Sequence, residues 1–211
     1  MKITLEQLSQ METRYRASLV NSLGGFKSVV MISTISTQKV HNLAIFNSLF
    51  HLGANPPLCG FIVRPDVSPR HTLQNIFDHH YFTINHLNEK IYVNAHQTSA
   101  RYHETISEFD EVKLNRESIS GHDVVYVKES HLKFLCEFKQ KIDIEINGTC
   151  MIIAEIKEIV LPDAAMGNDG FIDLETAESI TCSGLDSYHI TKKIARLTYA
   201  KPNTWPSKIE S

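Results

Sequence analysis

Two apolar runs on either side of a Pro-Pro turn constrain this chain more than any other feature of its sequence. We predict strands over residues 42–52 and 58–63, because the prolines between them lack the N–H group that a strand ladder needs. The second strand leads to Arg64. A helix over 72–79 follows, with Thr72 as its N-cap. Amide, hydroxyl and guanidinium groups therefore gather near the connections, which suits a phosphate and the polar edge of a planar ring.

The remaining pattern predicts an antiparallel β protein with peripheral helices. A capping box of Thr4 and Gln7 opens a helix that we expect to run to residue 23. Asn147-Gly148 predicts a tight type I′ hairpin. Further strands are predicted over 27–36, 81–87, 124–127, 132–139, 142–146 and 149–160, and short helices over 89–100, 101–109 and 174–180. Seven or eight strands in such runs favour a closed or nearly closed barrel, because closure removes exposed edges.

Length and composition predict one domain over residues 1–211, with an N-terminal helix within 1–24 and a C-terminal arm over 203–211. The net charge of −3 gives no reason to expect nucleic acid or an anionic membrane as a partner. No apolar run approaches the roughly 20 residues that span a bilayer, and the first residues lack a signal peptide's apolar region. We therefore expect a cytoplasmic protein whose four cysteines stay reduced.

Catalytic and metal signatures are missing from the sequence. It contains no G-x-S-x-G, H-E-x-x-H, P-loop or G-x-G-x-x-G motif. The eleven histidines are densest between His79 and His103, but their spacing matches no common metal site. We expect no metal and no side-chain catalytic triad.

Three segments are candidates for binding, and each has a plainer interpretation. Residues 42–48 form either a buried strand with tolerated polar residues or a ligand-contacting strand, since an unmet buried polar group costs about 1–3 kcal/mol. Residues 64–75 form either a capped helix beside an exposed arginine or a phosphate site at a helix N-terminus. The basic residues of 192–201 form either a solvated face or a contact for the phosphates of a nicotinamide cosubstrate.

Several blocks in order resemble the flavin reductase-like, FMN-binding split-barrel family. No single block is specific, but their order and spacing from about residue 20 to 202 are. The blocks are Ser28-Val29-Val30-Met31-Ile32-Ser33-Thr34, the Asn-rich strand over 42–48, Asn55-Pro56-Pro57, His71-Thr72-x-x-Asn75-Ile76, Tyr81-Phe82-Thr83-Ile84-Asn85, Gly184-Leu185-Asp186-Ser187-Tyr188 and Lys192-Lys193-x-Ala195-Arg196.

This resemblance implies a mainly β, Greek-key split barrel with peripheral α-helices that forms a homodimer and holds FMN near the subunit interface. Residues 42–46 would lie along the isoalloxazine ring, mostly through backbone groups. The implied cofactor-binding residues are His41, Asn42, Leu43, Ala44, Ile45, Phe46, Asn47, Ser48, Arg64, His71, Thr72 and Tyr188. One departure concerns the residue before Phe109, where some relatives carry a flavin-holding lysine and this chain has Glu108.

The resemblance further implies an oxidoreductase that transfers a hydride from NAD(P)H to FMN and on to a flavin or other small-molecule acceptor. The cofactor then supplies the chemistry, which explains why no triad is needed. An FMN-binding electron carrier or flavin-storage protein, without an efficient NAD(P)H reaction, is the alternative, since both need the same pocket. The sequence does not choose between NADH and NADPH.

Overall fold

The structure is a computed structural model that describes residues 1–65 and 71–209. Its helices are α1 Leu5–Gln10, α2 Thr13–Ser22, α3 His71–His79, α4 Tyr92–Gln97, α5 Glu108–Glu111 and a short 3₁₀ helix, Asp163–Ala165. Its strands are β1 Lys27–Ser28, β2 Val30–Ile35, β3 His41–Phe46, β4 Phe50–Ala54, β5 Pro57–Val63, β6 Tyr81–His86, β7 Arg116–Ile119, β8 His122–Val127, β9 Lys133–Ile144, β10 Thr149–Val160, β11 Thr181–Ser183 and β12 Ser187–His189.

One antiparallel sheet of seven strands dominates the fold, in the order β3-β2-β6-β9-β10-β5-β4. Two small sheets, β1-β11-β12 and β7-β8, complete it. The prediction of a mainly β protein with peripheral helices is confirmed. Because β3 and β4 are the two ends of the large sheet, each has one strand edge without a ladder partner among residues 1–65 and 71–209.

Strand β2 lies between two hydrophobic clusters. All six of its residues are buried, which is the pattern of a strand covered on both faces. Met31 packs in a cluster with Leu43 and Phe109, whereas Val30 and Ile32 pack in the other. Alternate side chains of β2 thus pack into both hydrophobic clusters. This packing fixes the position of β2, and β3 is paired to it.

The prediction of a single N-terminal helix over 4–23 is wrong, because the structure has two helices there, α1 and α2. The capping box of Thr4 and Gln7 is present and opens α1. Met11 then adopts an extended conformation, and the side chain of Glu12 accepts the N–H of Tyr15 to open α2. A second N-cap inside the segment therefore ends the first helix early. Neither of these helices, nor any other in the described residues, is long and apolar enough to cross a membrane.

The predicted strand over 42–52 is divided into β3 and β4. The hydroxyl of Ser48 accepts the N–H of Ile62 at 3.0 Å and donates to the Ile62 carbonyl at 3.1 Å. The Ser48 hydroxyl thus bonds the backbone groups of Ile62 that a neighbouring strand would otherwise bond. The chain turns away from β2 at this point. It resumes at Phe50, which pairs with Gly60 of β5.

Three smaller expectations also differ. Thr149 pairs with Ile144, so four residues form the β9–β10 loop instead of a two-residue type I′ turn. The predicted helix over 174–180 is a series of turns, ended where Glu178 adopts a positive φ of 55°. Only residues 108 and 109 of the predicted helix over 101–109 are helical, as the start of α5, and strand β7 follows α5 without having been predicted. Strand β10, in contrast, has the predicted bounds.

Candidate functional site

A cavity of about 1020 Å³ lies along the free edge of β3. The start of α3, the loop over 98–104 and the segment over 182–188 form its other walls. Ten of the twelve predicted binding residues line it: Asn42, Ala44, Ile45, Phe46, Asn47, Ser48, Arg64, His71, Thr72 and Tyr188. The structure thus brings together residues that are up to 146 positions apart in the chain, from 42 to 188. Residues 66–70 of the candidate binding segment 64–75 lie outside the described residues.

The other two predicted residues do not line the cavity. Leu43 is fully buried in the cluster around Met31. The ring of His41 packs edge-on against Phe109, with 6.4 Å between ring centroids, and its carbonyl accepts the Ser107 hydroxyl at 2.5 Å. Burial, followed by the nearby charge of Arg116, lowers the pKa of His41. Both side chains therefore pack against the protein core and not against the cavity.

Asn42 is the centre of a buried hydrogen-bond network. Its Nδ2 donates to both carboxylate oxygens of Glu108 at 2.9 Å. Its Oδ1 accepts the Thr72 hydroxyl at 2.8 Å and the Thr34 hydroxyl at 3.3 Å, and Asn75 Nδ2 donates to Thr34 at 3.0 Å. The network connects β2, β3, α3 and α5, so both the oxygen and the nitrogen of the Asn42 amide have protein partners.

Thr72 is therefore not the predicted N-cap. It is the second residue of α3, is buried, and uses its hydroxyl inside the network. The side chains of Asn47 and Ser48 are also engaged: Asn47 Nδ2 donates to the Gly184 carbonyl at 3.1 Å, and Ser48 bonds the backbone of Ile62. These side chains line the cavity, but their polar groups form hydrogen bonds with other protein residues.

The backbone of β3 offers the cavity its polar groups. Leu43 donates its N–H to Glu108 Oε2 at 2.9 Å, so this N–H points away from β2. In an antiparallel pair, alternate residues direct both backbone groups to the same side. The N–H and C=O of Ile45, two residues further on, therefore face away from β2 at the free edge, where Ile45 lines the cavity.

Arg64, His71 and Arg101 place cationic or ionisable nitrogen groups around the same cavity. The sequence interpretation missed Arg101, because it placed this residue in a helix, whereas the structure places it within the loop over 98–104. The basic residues of 192–201 do not line the cavity. Lys193 pairs with Asp173 and Arg196 with Asp169, so part of this group is a surface ion-pair cluster.

Tyr188 enters the cavity from β12 beside His96 of α4. The Tyr188 oxygen lies 2.7 Å from His96 Nδ1, and its ring lies 5.3 Å from that of Tyr92. Burial, with smaller effects of Cys182 and Asp186, raises the pKa of Tyr188 to about 12, so its hydroxyl remains protonated near neutral pH. His96 was not among the predicted site residues. Among the described residues, no group of His, Cys, Asp and Glu has the arrangement of a metal site.

Comparisons with known proteins agree with this fold. Residues 23–174 match the model of the flavin reductase like domain family. A Shewanella frigidimarina protein, described as a flavin reductase with a split barrel domain, is 46% identical, with a TM-score of 0.91 over 95% of this chain and 100% of its own. A search of curated proteins found no match.

Two more distant structures share the fold alone. Flavoredoxin of Desulfovibrio vulgaris is 16% identical, with a TM-score of 0.72 over 93% of this chain and 97% of its own. The NADH:FAD oxidoreductase of Streptomyces globisporus is 12% identical, with a TM-score of 0.68 over 92% and 98%.

The chain belongs to the flavin reductase like domain family and has its split-barrel fold. The resemblance found in the sequence is thereby confirmed. Membership in this family supports a flavin reductase function, which is an oxidoreductase role.

Proposed function

We propose that residues 1–211 form one FMN-binding domain that transfers a hydride from NAD(P)H to FMN and then to a flavin or another small-molecule acceptor. The observation that carries this proposal is the free edge of β3 along a cavity of about 1020 Å³, lined by ten of the residues expected to bind flavin.

The residues present fit a flavin. A planar ring with a polar edge needs backbone donors and acceptors on one side, and the free edge of β3 supplies them at Ile45. Apolar contact comes from Ala44, Phe46 and Val29, which line the same cavity. A phosphate needs cationic donors, and the Arg64 guanidinium offers a planar pair of N–H groups.

When bound, the flavin supplies the electron chemistry by accepting and passing on a hydride. The protein's task is to bind and orient. The Asn42 network fixes β3 against α3 and α5, so the edge is held before the ligand arrives. Arg64 and His71 would hold the phosphate. Tyr188, whose pKa is raised by burial to about 12, would present its hydroxyl to the ring or to the acceptor. No metal and no nucleic acid is required.

We also propose that the protein is a homodimer. The segment 196–209 forms a hairpin in which Thr198 donates its N–H to the Ser207 carbonyl at 2.9 Å. Its large apolar side chains are exposed, with Trp205 at 93% and Tyr199 at 88%. Exposed apolar groups of this size are typical of protein interfaces. We propose a cytoplasmic location as well, and the four free, buried cysteines support it, because thiols stay reduced in that compartment.

Titration with FMN tests the proposal. We expect flavin fluorescence to change in proportion to added protein and to saturate at one FMN per chain at micromolar concentration. Riboflavin should bind more weakly, because it lacks the phosphate. Flavin that passes entirely through a protein-retaining filter would contradict the proposal.

A further inference from the structure

Glu108 combines two properties that rarely occur together in one side chain. It lines the cavity, yet it is only 5% exposed. A buried carboxylate is costly unless hydrogen bonds satisfy it. Here the N–H of Leu43 and the amide of Asn42 donate to it at 2.9 Å, and neither oxygen has a donor role in these contacts. Burial raises the pKa of Glu108, and the hydrogen bonds from Leu43 and Asn42 act against that rise. Because both oxygens accept hydrogen bonds, the bonding pattern is that of an ionised carboxylate.

The charge of Glu108 has no close cationic partner in the part of the chain that the structure describes. Among residues 1–65 and 71–209, no lysine, arginine or histidine nitrogen lies within 4 Å of it. His71 acts on it only at longer range. Asp110 of the same helix, in contrast, pairs directly with Arg116 at 2.7 Å. Glu108 therefore brings a negative charge to the wall of the cavity.

The position of this charge is set by the strand edge. Glu108 accepts the N–H of Leu43, and Ile45 lies two residues further along β3. A strand rises roughly 3.3 Å per residue, so the two backbone positions are about 7 Å apart. A ring bound at Ile45 would have the carboxylate nearby, in surroundings where water screens charges poorly.

We propose that Glu108 is a positioning residue for the flavin: it fixes the free edge of β3, and its charge lowers the reduction potential of the flavin bound there. This inference rests on the proposed function. Reduction of a flavin by two electrons with uptake of one proton adds one negative charge to the ring. A fixed carboxylate disfavours that added charge, in the same way that it disfavours ionisation of a neighbouring acid.

The affinities for oxidised and reduced FMN test this inference. We expect Glu108→Gln to strengthen binding of reduced FMN relative to oxidised FMN by about tenfold, which raises the two-electron potential by about 30 mV. Glu108→Asp keeps the charge but shortens the reach to Leu43. It should weaken binding of both forms together and leave their ratio within about threefold of the original.

Glu104→Gln is the matched control, since Glu104 lines the same cavity but is exposed and therefore screened by water. We expect Glu104→Gln to change the ratio of the affinities for reduced and oxidised FMN by less than threefold. Circular dichroism checks that each variant is folded. If Glu108→Gln does not fold, Glu108→Asp provides a second test, because this variant keeps the charge and a tenfold change in its affinity ratio would overturn the inference.

A purely structural role predicts that the Gln and Asp variants change both affinities alike. Equal ratios in the original protein and in Glu108→Gln would therefore overturn the inference while leaving the proposed function intact. Failure of the original protein to bind oxidised FMN would instead remove the proposed function, and with it the basis of this inference.

Discussion

The hydroxyl of Thr72 donates to Oδ1 of Asn42 at 2.8 Å, although the two residues belong to different elements 30 positions apart in the chain. This bond joins the start of α3 to the start of β3. It is buried, so its loss leaves an acceptor of Asn42 with only the longer bond from Thr34 at 3.3 Å.

Thr72→Val removes this hydroxyl while keeping the side-chain shape. We expect the free energy of unfolding to fall by about 1–3 kcal/mol, because a buried acceptor loses its better partner. FMN affinity should fall as well, since the network holds the cavity edge. Urea unfolding followed by circular dichroism measures the first effect. Thr13→Val, at an exposed helical position, should change stability by less than about 0.5 kcal/mol. Equal stability of Thr72→Val and the original protein would show that the network does not hold the edge.

Arg64→Ala tests the phosphate site. A charge-assisted hydrogen bond is worth about 1.5–3 kcal/mol, so FMN should bind roughly 10- to 150-fold more weakly. Riboflavin, which has no phosphate, serves as the matched ligand, and its affinity should change by less than threefold. Fluorescence titration of both ligands gives the comparison. Equal weakening for FMN and riboflavin would place Arg64 away from the phosphate.

His86 should make the fold sensitive to acid. Burial lowers the pKa of His86 from its ordinary value of 6.5 to about 4 in the folded protein. The unfolded chain therefore binds a proton first as the pH falls, and stability that is present above pH 6.5 is lost as the pH falls toward 4. The loss between pH 8 and pH 5 is about 2 kcal/mol at most.

His86→Gln removes this titration. Its unfolding free energy should depend less on pH over the same range, by up to about 2 kcal/mol. His51→Asn is the control, because His51 is exposed and should leave the pH dependence of the original protein unchanged. Parallel pH profiles for the His86 variant and the original protein would argue against a lowered pKa of the half-buried His86 in the folded protein.

Trp205 reports on dimerisation. It is the one tryptophan of the sequence and is 93% exposed in the single chain. A dimer that covers the C-terminal hairpin should give blue-shifted emission that moves to the red on dilution. Trp205→Ser should lower the mass from light scattering toward that of one chain. Ile146→Ser, equally exposed at 94% but on the β9–β10 loop, should leave the mass unchanged. Red emission together with a single-chain mass at micromolar concentration would exclude this interface.

The sequence predicts elements well where the information is local. Strand β10 has the predicted bounds because its apolar residues extend over twelve positions. The capping box at Thr4 is likewise confirmed, since its two partners are three residues apart. The cavity lining was identified because the family blocks place those residues in a fixed order.

The sequence failed where a partner comes from far along the chain. The break after β3 depends on Ser48 bonding Ile62, which is 14 residues away. The role of Glu108 depends on Asn42, which is 66 residues away, and no local pattern of α5 indicates that pairing. The position of Thr72 inside α3 depends on the same network. Such contacts arise only when the sheet has formed.

An anaerobic visible spectrum of the protein with one equivalent of FMN tests the central claim most directly, recorded before and after addition of NADH and then NADPH. The proposed function predicts a flavin band that is shifted by binding and then bleaches rapidly with one or both donors. A shifted band that persists with both donors would contradict the reductase function and favour an FMN-binding electron carrier. An unshifted band would contradict flavin binding itself.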